Sequence, residues 1–361
     1  MFENIKKVYY ALKRTGQLPA SITPLNPHSV HPVYSVHANI LQPLTRPLGM
    51  SKLVHVIGRP HKYLLNSNAY IISEVEGAAG VAPLEFSKNR YDIKNSNLYT
   101  DNLIESGKLR TIVYQSDSAL KLHSKCASAQ MNEISTVITQ VPESMIWESQ
   151  IADNKLKILI VASNPIPKGL FLLPSILKKL NEKGVGLNLK IISSRRFNIE
   201  YDGKHNVEFI VTSKMSPKLK SEVFRWADFL LNISPMDTLG TFIDSIKYGV
   251  PLITVEGQHA SSYVLNGSTG CILNSPLFYY GDRLGVDYFD VKNTFVDFLI
   301  SQNDDFWLNF IDEIVDLFQT LTPNLINEIT QNHKDYCRKE FRINSWLDSY
   351  KALYEDAMEK I

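Results

Sequence analysis

The residues with chemistry to offer cluster in one stretch of this 361-residue chain, from Trp226 to Val255. Asp237 precedes a glycine turn, Leu239, Gly240 and Thr241 open a short helix, and Asp244 follows inside it. The amides of a helix's first turn, together with its dipole, favour an anion such as a diphosphate, and Gly240 lets such a ligand approach the backbone. On spacing alone, Asp237 reads equally well as a turn former and Asp244 as a solvated helix residue. Upstream, Lys168-Gly169 lies at the mouth of a strand-helix loop. An ammonium there can neutralise a phosphate, although an exposed lysine is more often simply solvated.

The elements that must position these residues follow from apolar patterning. The runs 229–233 and 250–255 are short, apolar and punctuated on both sides, which predicts buried strands flanking the helix. Gly249 stands where a helix beginning near Thr241 needs a left-handed cap, and Pro251 forbids the helix from resuming. That leaves a helix of about two turns whose start lies beside the carboxyl end of the preceding strand, where open parallel sheets bind ligands. Further strands are expected at 156–162, 189–193 and 207–211, with helices at 170–180 and 217–226. In the first half, 53–58, 70–76, 109–114 and 136–142 read as strands, and Ser116 as the cap of the helix after the third. The strand 70–76 delivers Glu74 or Glu76 to its carboxyl end, either as an acid facing a cleft or as a cap for the next turn. His55 and His61 are alternatives for a polar contact there. The aromatic-rich tail 303–361 reads as amphipathic helix.

Composition narrows the class. Lys plus Arg total 38 against 37 Asp plus Glu, a formal charge of +1, which gives no footing for wholesale nucleic-acid binding. With 44% hydrophobic and 21% charged residues the chain reads as soluble and globular, and its length predicts two domains. No apolar run approaches the roughly 18 residues that span a bilayer, and the first residues lack a signal-peptide core. Cys126, Cys271 and Cys337 are widely spaced, so neither a disulfide framework nor zinc is indicated and a reducing cytoplasm fits. Lys6, Lys7, Lys13 and Arg14 flank an apolar-aromatic run, a pattern open to a solvated surface helix or to a helix lying on the inner membrane surface.

Asp237-Thr-Leu-Gly240, then Asp244, then Gly249-Val-Pro-Leu-Ile253 together resemble the nucleotide-sugar site of the GT-B glycosyltransferases, particularly the retaining family 4. Lys168-Gly169 is similar to that family's Lys-Gly motif, and 266–273 to its later glycine turn. The resemblance implies an α/β fold of two Rossmann-like domains around a central cleft, 1–145 on the acceptor side and 155–330 on the donor side. It further implies C-terminal helices, 331–361, that cross back onto the first domain. It assigns Asp237 to the donor sugar, Asp244 to the ribose and Lys168 to the diphosphate, with Gly169, Leu239, Gly240 and Thr241 beside them. Glu76 falls to the acceptor side, and His55 to a contact with the transferred sugar. The implied activity is metal-independent, retaining transfer of a sugar from a UDP- or GDP-linked donor to a glycan or lipid-linked acceptor, in surface polysaccharide or glycoconjugate synthesis. No cofactor beyond that co-substrate is implied.

The chain departs from the pattern in definite ways. Both carboxylates are Asp, the gap between them is one residue short, the N-terminal glycine loop is missing, and Ser163 stands where the family has arginine. Arg195 or Arg196 is the expected replacement for that charge. These departures keep open a catalytically silent scaffold of the same fold. A weaker resemblance to the O-GlcNAc transferases keeps open inverting chemistry. A dehydrogenase is disfavoured, because no Gly-x-Gly-x-x-Gly follows any strand.

Overall fold

Short runs of branched and aromatic residues form strands in two separate sheets. The structure is a computed structural model that describes residues 21–25, 53–57, 70–75, 100–124, 127–142, 144–147, 155–162, 168–193, 205–211, 215–234, 239–257, 259–274, 277–278, 286–287 and 304–359. These fall into two compact units, one of residues 21–142 with 343–359, the other of residues 144–342.

In the first unit, strands β1 (Ser21–Leu25), β2 (Leu53–Ile57), β3 (Tyr70–Val75), β4 (Leu109–Tyr114) and β5 (Ser135–Val137) lie side by side in chain order. β1 runs antiparallel to β2 and the rest are parallel. Ile71, Leu109, Ile112 and Tyr114 pack with Leu103, Ala119 and Met131 as the core on one face. Ser116 accepts a hydrogen bond from the Ala119 amide at 3.1 Å and so caps α1 (Asp117–Ser124), as its position predicts. Ser128 does the same for α2 (Ala129–Glu133) through Met131. β5 stops at Val137, well short of the expected 142. Gln140 there is fully buried, and its side chain is satisfied by side-chain partners rather than by a strand neighbour.

In the second unit, strands β6 (Lys157–Ala162), β7 (Asn188–Ser193), β8 (Asn206–Val211), β9 (Phe229–Asn232), β10 (Leu252–Val255) and β11 (Gly270–Leu273) are all parallel, in the order β11-β10-β9-β6-β7-β8. That is the Rossmann order, and its direction of progression reverses between β6 and β9. The connections are a 3-10 turn (Leu170–Leu172) with α3 (Leu173–Glu182), then α4 (Pro217–Trp226), α5 (Leu239–Tyr248) and the single turn α6 (Ala260–Tyr263). Strands β6, β9 and β10 are almost wholly buried, which is why their sequences read as unbroken apolar runs. A two-residue parallel pair, β12 (Leu277–Phe278) with β13 (Val286–Asp287), precedes the long helices α7 (Asp304–Thr320) and α8 (Pro323–Glu340). The final helix, α9 (Ile343–Glu359), belongs to the first unit and α8 to the second, so the tail divides after Arg342.

Candidate functional site

β6 and β9 are the neighbours between which the strand order reverses, and open parallel sheets bind ligands at the carboxyl ends of such a pair. Gly169 closes the loop after β6 with φ +74°. A Cβ built on it would fall 2.3 Å from the carbonyl oxygen of Ile233, the first residue past β9. The two segments therefore touch backbone to backbone, and only glycine satisfies both the left-handed conformation and the gap. Lys168, the residue before Gly169, is half-buried.

α5 starts at Leu239, two residues earlier than the sequence suggested, and its first-turn amides face away from the helix at the same sheet edge. Leu239 and Thr241 are buried, while Gly240 is exposed and a Cβ there would meet nothing within 4 Å among the described residues. Among the described residues, open space thus lies beside Gly240 at the positive pole of a ten-residue helix.

One turn further along, Asp244 meets a partner that the sequence did not announce. Lys220 of α4 places Nζ 2.8 Å from both carboxylate oxygens. The side chains keep 18% and 35% of their surface, so the pair is shielded but reachable. Burial holds the Asp244 carboxyl above its ordinary value, with Lys220 and then Lys247 pulling it back. The Lys220 ammonium also lies 5.6 Å and 5.8 Å from the ring centres of Phe224 and Tyr248, which stack on each other at 4.4 Å.

The far end of α5 is fixed by Gly249, whose φ of +66° makes the expected left-handed cap. Carbonyls left over at that end are taken by the segment 144–147. The Ile146 amide donates to Lys247 O at 2.6 Å, and Trp147 Nε1 to Ile246 O at 2.8 Å. The Trp147 ring covers Gly249 so closely that a Cβ there would sit 2.8 Å from Cδ1. Arg338 of α8 stacks over the outer face of the same ring.

His55, expected to meet the transferred sugar, is fully buried within the first unit. Its Nδ1 lies 2.6 Å from the Tyr354 hydroxyl, and its Nε2 lies 3.0 Å from Glu74 Oε2, off the direction of a good hydrogen bond. Glu74 is equally buried. Gln115 and Gln140 donate to its Oε1 at 2.7 and 3.1 Å, and Tyr350 donates to Oε2 at 2.7 Å. Burial first, then the Glu74 charge, keeps both tyrosine hydroxyls far above their ordinary value and therefore protonated. Trp346 completes the set by donating to Gln140 Oε1 at 3.1 Å. This network binds α9 to β2, β3 and β4, and it accounts for His55 and Glu74 without a ligand. His259, just before α6, is buried against Phe242 and Tyr263, and burial depresses it to about 3.

Asp237, Glu76 and Arg195 lie outside the described residues. Lys168, Gly169, Leu239, Gly240, Thr241 and Asp244 all belong to the second unit. Lys220 was not legible, because 24 positions separate it from Asp244 and no local pattern links them. Among the described residues, no group of three His, Cys, Asp or Glu side chains is placed to hold a metal ion. None of their helices is long and apolar enough to cross a membrane.

No family model and no curated protein matches the sequence. The backbone does match solved structures. The glycosyltransferase from Rickettsia africae aligns with a TM-score of 0.55 at 14% identity, over 86% of this chain and 77% of its own. Anabaena HepE in complex with UDP and glucose aligns at 0.55 with 10% identity, over 92% of this chain and 84% of its own. TarM aligns at 0.54 with 11% identity, and although 81% of this chain is covered, the chain spans only 52% of TarM. At such identities the likeness defines the fold, which is the GT-B architecture of two Rossmann-like domains.

Proposed function

We propose that the chain is a glycosyltransferase that moves a hexosyl group from a nucleoside-diphosphate sugar to a glycan or lipid-linked acceptor. The observation that carries this reading is the Gly169–Ile233 joint, which brings the residue after Lys168 against the residue that follows β9, at the point where the Rossmann strand order reverses. That arrangement suits a diphosphate: amide dipoles meet its oxygens and an ammonium meets its charge. The Anabaena HepE structure of the same fold holds UDP and glucose, which supports a UDP-linked donor here, with GDP as the other option.

As the bond from the anomeric carbon to the diphosphate breaks, its electron pair moves onto the leaving oxygen. The Leu239, Gly240 and Thr241 amides, Lys168 and Arg195 stabilise that charge without a metal. Asp244 receives the ribose hydroxyls, Asp237 orients the sugar and Glu76 serves the acceptor. In the retaining course the acceptor hydroxyl attacks on the face the diphosphate leaves, and its proton passes to the departing phosphate oxygen. Rate then comes chiefly from positioning. We place this activity in surface polysaccharide or glycoconjugate synthesis on the cytoplasmic side, with the basic N-terminal segment against the membrane.

The test is thermal unfolding with UDP, GDP, CMP or dTDP in EDTA. A nucleotide at tenfold its Kd adds about 1.4 kcal/mol, enough to raise Tm by a few degrees. One nucleotide should stabilise the wild type and fail to stabilise Lys168→Ala and Asp244→Ala. No shift with any nucleotide contradicts the reading.

A further inference from the structure

Asp244 is a shorter carboxylate than the resemblance leads one to expect, and it is not left to find its own rotamer. Lys220 reaches across from α4 to within 2.8 Å of both oxygens. Lys220 is itself steadied, because its ammonium lies 5.6 Å and 5.8 Å from the centres of the stacked Phe224 and Tyr248 rings. A carboxylate offers about four lone-pair positions. One ammonium spanning both oxygens uses one on each and leaves the others directed away from α4. Asp244 retains 18% of its side-chain surface, so that outer side is reachable.

We propose that Lys220 is a positioning residue for donor binding: by bridging both Asp244 oxygens it turns the two remaining acceptor positions toward the vicinal hydroxyls of the nucleotide ribose. This rests on the donor-site reading above and adds to it a residue from the preceding helix. A bridge that merely fastened α4 to α5 would contribute to stability and leave ribose recognition untouched, and that difference makes the two roles separable.

The experiment is calorimetric titration with the nucleoside diphosphate that binds best, and with its 2′,3′-dideoxy counterpart, of wild type, Lys220→Met, Lys220→Arg and Asp244→Asn. Melting curves establish which variants are folded at the assay temperature. Methionine keeps an unbranched apolar stem of similar length and removes the charge. Lys220→Gln, which keeps length and a donor, is read in the same way should methionine disturb the fold. Wild type should prefer the ribonucleotide by about tenfold or more, the loss of two hydroxyl contacts. Lys220→Met and Asp244→Asn should reduce that preference to near unity, and Lys220→Arg should retain most of it. A folded Lys220→Met or Lys220→Gln with the wild-type preference overturns the proposal, more sharply so if Asp244→Asn abolishes the preference in the same assay. A wild type that binds no nucleoside diphosphate instead overturns the donor-site reading beneath it.

Discussion

Gly169 and Ile233 approach so closely that a single added methyl on the glycine would lie 2.3 Å from the isoleucine carbonyl oxygen. The contact joins the segments that leave β6 and β9, and with a φ of +74° the position is doubly restricted to glycine. Gly169→Ala should therefore cost about 2–3 kcal/mol, combining left-handed strain with steric displacement. Urea unfolding measures it, and nucleotide affinity should fall in parallel because Lys168 moves with its neighbour. An alanine variant of wild-type stability would mean that the two segments are not in contact.

Asp244 should give opposite pH signatures in the free and bound protein. Burial raises its folded pKa above the ordinary 3.8, so the folded state holds this proton more tightly than the unfolded chain. Its contribution to stability is present below 3.8 and is lost as pH rises through the raised folded value. On the proposed donor-site reading, nucleotide binding uses the carboxylate and should strengthen across the same window. Denaturant unfolding and nucleotide titration of wild type against Asp244→Asn, at several pH values in that window, should show both slopes vanish in the variant.

Much of this was readable in the sequence, and the rest was unreadable for physical reasons. Strand β4, helix α4 and the Gly249 cap follow from local rules, since apolar runs, capping residues and a left-handed glycine act over a few positions. The Lys168-Gly169 and 239–244 motifs were visible because loop-to-helix chemistry is contiguous in sequence. What stayed hidden depends on pairs far apart in the chain, such as Lys220 with Asp244, Trp147 with Gly249, and Glu74 with Tyr350 of α9. His55 shows the same limit: a strand histidine looks identical whether it faces a ligand or a buried tyrosine, and the residue that decides lies 299 positions away.

Trp147 should matter to stability more than its place in a polar connecting segment suggests. It covers Gly249, caps Ile246 O at 2.8 Å and carries Arg338 on its face. Trp147→Ala should cost about 2–3 kcal/mol in urea unfolding, less than a fully buried tryptophan because the residue is only half-buried. Trp147→Phe should recover most of that, with a deficit of about 1 kcal/mol for the missing hydrogen bond. Equal losses for both substitutions would refute the packing role.

Tyr350→Phe removes one donor from the buried Glu74 carboxylate and leaves the ring in place. The expected loss is about 1–3 kcal/mol, the cost of an under-satisfied buried charge. In the Glu74→Gln background the same substitution should cost less, because the amide carries no charge to strand. Additive effects in that double-mutant cycle would show that the hydroxyl and the carboxylate are not coupled.

Cys271 and Cys337 should be unreactive in the folded protein, since burial pushes their thiols up to about 11 and about 12. Iodoacetamide at mildly alkaline pH followed by peptide mapping should find both unmodified natively and both labelled in urea.

The central claim, that the start of α5 receives the diphosphate of a donor, is tested most directly at Gly240. The residue is exposed and an added Cβ meets nothing within 4 Å among the described residues, so Gly240→Asp should leave the fold intact. A carboxylate in a helix's first turn should even raise Tm slightly. Placed where the diphosphate binds, the same charge repels it. Calorimetric titration should show nucleoside-diphosphate affinity weakened by about tenfold or more, with the uncharged nucleoside little affected. Unchanged diphosphate affinity in a folded Gly240→Asp protein would contradict the account.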